Sequence, residues 1–65
     1  MSLTPEEEVH AAGRQVTALE SQLAQAVRRR DLAVRAAVAS GAQQTVVAVA
    51  AGISRQRVAQ IMAAA

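Results

Sequence analysis

Between Ser54 and Gln60, five polar side chains, Ser54, Arg55, Gln56, Arg57 and Gln60, fall within about two turns of a helix. Guanidinium and carboxamide groups are planar and carry several donors. They can form paired hydrogen bonds with the edges of guanine and adenine in a major groove. Val58 and Ile61, interleaved at helical spacing, would hold such a helix on a core and leave the polar residues outside. Nothing comparable exists for acid-base or nucleophilic chemistry. The chain has one histidine, His10, no cysteine and no tyrosine, and its carboxylates are Glu6, Glu7, Glu8, Glu20 and Asp31. No enzyme is expected, and no metal, cofactor or small-molecule ligand.

A reading helix needs a scaffold, and two short helical candidates supply it, Gln44 to Ala51 and Ser54 to Met62, joined by a tight turn at Gly52. Ala48 sits where two helices cross closely, and a larger side chain there would push them apart. Gly52 suits the positive φ that a sharp turn demands. Val47, Ile53, Val58 and Ile61 form the shared core, with Val34 and Val38 of a preceding helix as its third wall, and Ser54 caps the second helix. Residues 45 to 51, Thr-Val-Val-Ala-Val-Ala-Ala, are apolar enough to be read as a short strand. They are assigned to a helix because no second strand is available to pair with them, and Val46 or Val49 then faces outward.

The segment Ala-Gly-Ile-Ser-Arg-Gln-Arg-Val-Ala-Gln-Ile, residues 51 to 61, resembles the helix-turn-helix of small bacterial DNA-binding regulators and of the promoter-reading domain of primary sigma factors. The resemblance covers about a third of the chain, taken from Gln44 to Ala63. It implies that Ser54, Arg55, Gln56, Ala59 and Gln60 meet base edges. Arg57, Gln44, Thr45, Arg28, Arg29 and Arg35 are the expected contacts to the DNA backbone. For the arginines of the preceding helix, the alternative is a solvated face with an ordinary Asp31–Arg35 pair.

The first helix is signalled by Thr4, Pro5 and three glutamates, which together make a cap, a preset first position and favourable charge at the positive end of the dipole. Glu7 completes a capping box. The next stop is Ser40-Gly41, so the helix is expected from Pro5 to about Ala39, roughly 50 Å long. Val9, Ala12, Val16, Leu19, Leu23 and Ala26 recur at intervals of three and four, the a and d positions of a coiled coil. The register continues formally through Arg30, Ala33 and Ala37, and Arg30 at a core position suggests that the seam opens there. A second stripe, Val27, Val34 and Val38, is assigned to a different face.

The e and g positions Gly13, Gln15, Glu20, Gln22 and Val27 decide neither strand number nor orientation, and a dimer is taken as the commonest solution. Internal packing of the stripe in a helical hairpin is the alternative. With 65 residues and no cysteine, a single core is small and oligomerisation is the remaining source of stability.

The expected protein is therefore all-α with three helices, a dimerisation part over residues 1–27 and a helix-turn-helix DNA-binding domain over residues 28–65. Formal charge is about −3 over the first part and +5 over the second, which favours a polyanionic partner for the latter. A homodimeric, sequence-specific regulator of transcription, bacterial, plasmid or phage in origin, follows, with double-stranded DNA as partner. The acidic start argues against a targeting segment, and no uninterrupted apolar stretch is long enough for a membrane span, so a cytoplasmic, nucleoid-associated location is expected. The alternative from another class is a protein-interaction module docking on a larger partner such as a polymerase subunit.

Overall fold

A computed structural model describes residues 2–64, leaving Met1 and Ala65, the outermost residues of the two expected parts, outside the described residues. Three helices follow one another, α1 (Pro5–Ala39), α2 (Gln44–Ala51) and α3 (Arg55–Ala63). The chain is all-α, and the segment 45–51 that could have been a strand is helical.

Four helix ends have a local cause, whereas α2 starts at Gln43 with no side-chain cap. The Thr4 hydroxyl accepts a hydrogen bond from the Glu7 amide at 3.2 Å, and the Glu7 carboxylate accepts one from the Thr4 amide, completing the capping box. At the other end of α1, Ala42 N–H donates to the Ala37 carbonyl and Gly41 N–H to that of Val38, with Gly41 at φ 104°. The end of α2 repeats this pattern: Ile53 N–H reaches the Ala48 carbonyl, Gly52 N–H reaches Val49, and Gly52 sits at φ 70°. Both are closures of the Schellman type, which need a left-handed residue and so favour glycine. Two residues after Gly52, Ser54 is extended, and its hydroxyl accepts from the Arg57 amide at 2.9 Å and starts α3.

Val34, Val47, Ala48, Val58 and Ile61 make the buried core, flanked by partly buried Ala37, Val38, Ala51, Ile53 and Met62. One to two residues from each helix thus meet at a single point near the C-terminal end of α1. The remaining two thirds of α1 project from it, giving a molecule 57 Å long and at most 20 Å across. Arg30 is not left unpaired: its guanidinium donates to Asp31 Oδ1 at 3.2 Å. The Asp31–Arg35 pairing considered from spacing does not form, because Arg35 turns to α3 instead.

The two stripes of α1 partly overlap, their centres lying about 50° apart on a straight helix. At 3.6 residues per turn, eighteen residues complete five turns, so Val9 lies in line with Val27, and Val16 with Val34. The separation inferred from heptads arises because a straight helix drifts about 20° per heptad from the 3.5-residue repeat.

Replacing Ile61 by Ala is expected to cost about 2–5 kcal/mol, and Gly52→Ala about 1–2 kcal/mol through its left-handed backbone. Thermal unfolding followed by circular dichroism measures both, and an unchanged midpoint for either variant would refute the corresponding role.

Candidate nucleic-acid interface

The geometry of α3 follows from its two buried residues. Val58 is completely buried and Ile61 nearly so, which fixes the rotation of the helix about its axis. At 100° per residue, Gln56, Ala59 and Gln60 then point away from the core, with Arg55 and Arg57 on the two flanks. Ser54, Arg55, Gln56, Arg57, Ala59 and Gln60 are all exposed. Gln56, Ala59 and Gln60 therefore share one open surface with Arg55 at its edge, while Ser54, one turn before Val58, is exposed at the capped start of the helix.

An α-helix with its side chains is about 10–12 Å across, comparable to the roughly 12 Å width of the major groove, and α3 presents about 13 Å of length along it. Two local hydrogen bonds organise this surface. Ser54 anchors the first turn, and Arg57 Nη1 donates to Gln60 Oε1 at 3.2 Å, leaving the Gln60 amide N–H groups free to donate outward. Between residues 44 and 64 the only charged side chains are Arg55 and Arg57, so the surface is positive without an internal acid to neutralise it.

The expected backbone contacts separate into three environments. Thr45 is exposed and Gln44 half-buried at the start of α2, while Arg28 and Arg29 are exposed on α1. Arg35 is half-buried and its Nε donates to the Ile61 carbonyl at 3.4 Å, tying α1 to the last turn of α3. Lying 26 residues apart, that pair has no signature in local spacing. The Arg57–Gln60 contact does, since residues three apart share a helix face.

Elsewhere the surface carries exposed apolar residues among its charged ones. Val46 and Val49 are 60% and 84% exposed on α2, and Val9, Val16, Leu19 and Leu23 are all more than half exposed on α1. An apolar groove runs between α1 and α2, lined among others by Ala33, Ala37, Val46 and Ala50. Among the described residues no helix is long and apolar enough to cross a membrane, and no group of three or more His, Cys, Asp or Glu is placed to hold a metal.

Substituting Arg35 by Ala is expected to destabilise the fold by roughly 0.5–1.5 kcal/mol, the range for one hydrogen bond. Arg28→Ala and Arg29→Ala should leave the unfolding midpoint of the isolated chain unchanged. Equal midpoints for all three variants would show that the Arg35–Ile61 contact stabilises nothing.

Comparison with protein-family models, with curated proteins and with solved structures finds no match to this chain.

Proposed function

We propose that this chain is a sequence-specific binder of double-stranded DNA that acts as a homodimer, with α3 as its reading helix. The observation that carries the proposal is the outward face of α3: Gln56, Ala59 and Gln60 exposed opposite a fully buried Val58, with Arg55 exposed at their flank. Gln56 and Gln60 are suited to adenine edges and Arg55 to guanine. Ser54 and Arg57 flank them, and Ala59 offers a small apolar surface to a thymine methyl.

Thr45 and Gln44 at the start of α2, with Arg57, are the nearest groups for the phosphate backbone, and Arg28 and Arg29 add positive charge to the same half of the molecule. One such motif makes few phosphate contacts. Pairing two of them through the N-terminal stripe doubles both the electrostatic attraction and the base readout, which suits a regulator of transcription acting on a symmetric or repeated site. The exposed Val46 and Val49 favour a second reading, in which α2 docks on a larger protein through an apolar contact.

Titration of duplex DNA at two salt concentrations separates the two. A dimer neutralising about six phosphates should lose roughly a thousandfold in affinity between 50 and 200 mM salt. Arg55→Ala and Gln56→Ala should each weaken binding to a selected site by about 1–3 kcal/mol while leaving helicity intact. Absence of binding at the lower salt would refute the DNA reading.

A further inference from the structure

The apolar stripe of α1 has an internal symmetry. Its six residues pair end to end about a point between Thr17 and Ala18: Val9 with Ala26, Ala12 with Leu23, and Val16 with Leu19. Antiparallel coiled coils bring a positions opposite d positions, and every pair here is one a and one d at the same level. A second copy running the opposite way would therefore place Leu23 over the partner's Ala12 and Val9 over the partner's Ala26, large against small in the outer four layers and Val16 against the partner's Leu19 in the middle two. A parallel pair would instead stack Ala12 on Ala12, Ala26 on Ala26 and Leu on Leu, alternating gaps with crowding along the seam.

Charge points the same way. Glu8 and Arg29 both occupy g positions flanking the stripe, and antiparallel coils juxtapose g with g. Reversing the second copy sets Glu8 beside the partner's Arg29 at each end, and lays the acidic Glu6–Glu8 turn along the basic 28–30 run. Parallel alignment pairs each g with an e five residues on, which sets Glu8 beside the partner's Gly13 and Arg29 beside the partner's Val34 and leaves both charges unmatched.

The fold limits the seam in turn. Past Ala26 its register passes through Arg30, Ala33 and Ala37, and there α2 takes the place of a partner, with Val46 and Ala50 forming the far wall of the groove. Parallel copies would bring two α2 helices to the same point on the seam and force the α1 helices to splay. In the reversed arrangement the second α1 begins, at Pro5, level with Arg30, where α2 starts to cover the stripe. Leu3, half exposed in the single chain, then reaches the open groove of the partner.

We infer that the occupant of the N-terminal stripe is a second copy of this chain in antiparallel orientation, over about 39 Å of helix from Pro5 to Arg30. The two helix-turn-helix units then stand at opposite ends, with the Val34 levels about 50 Å apart. This deepens the dimer of the proposed function and does not depend on DNA binding.

Because the chain has no cysteine, disulfide trapping tests it directly. Full-length Ala12→Cys and Leu23→Cys chains are oxidised separately and mixed, and the products are weighed by mass spectrometry. In the antiparallel dimer identical positions lie about 17 Å apart, beyond disulfide reach, whereas the thiol introduced at position 12 faces the one introduced at position 23 of the other chain. The expected result is a mixed disulfide on combining the two variants and no homodimeric disulfide in either variant alone. Homodimeric disulfides without the mixed species would overturn the orientation. Sedimentation of the unmodified chain as a monomer would overturn the seam, and a dimer that yields no disulfide in any sample would overturn the register. No outcome involves DNA, so failure here and failure of DNA binding are read separately.

Discussion

Burial of Val58 at the meeting point of three helices governs the arrangement of everything around it. With no aromatic side chain in the sequence, the core is a handful of branched aliphatic residues and one alanine, contributed by all three helices. Val58 and Ile61 decide which way α3 faces. Val47 and Ala48 decide how closely α2 can approach, and Val34 marks the level on α1 where both dock. Such a core is small for a chain of this length, and much of the long helix contributes nothing to it.

The closures at Gly41 and Gly52 make so small a core possible. Each ends a helix within two residues and satisfies the last carbonyls by main-chain hydrogen bonds. Neither loop then needs side chains to bury it. The turn between α2 and α3, closed by two main-chain hydrogen bonds, sets where α3 starts relative to α2.

Much of this is legible in the sequence, because the signals are local. Thr4-Pro5 with its glutamates, Ser40-Gly41, Gly52 and Ser54 mark boundaries within a residue of where they lie, since capping depends on side chains adjacent to the helix end. The core follows from helical spacing. Arg35 is not legible in the same way: its approach to Ile61 depends on how α1 and α3 cross, which no short-range pattern encodes. The relation between the two apolar stripes is misread for a different reason. A heptad frame suits a supercoil, while the single α1 keeps the straight helical period, and over eighteen residues the two diverge by about 50°. Most of the hydrophobic area that remains exposed lies on α1 and α2 rather than around α3. The molecule thus divides its surface by chemistry, polar and positive at the proposed reading face, apolar along the stripe and the groove. Contacts of one kind can form without competing with the other.

The absence of any break in α1 between Ala26 and Val34 links these surfaces in phase. A residue inserted there would advance the docking end by about 1.5 Å and rotate it by about 100° against the stripe. Small insertions would therefore act mainly as angular errors, and nearly full angular recovery requires about eighteen residues, or roughly seven at the cost of about 20°. The uninterrupted helix functions as a torsional gauge, and the permitted lengths of this segment are discrete.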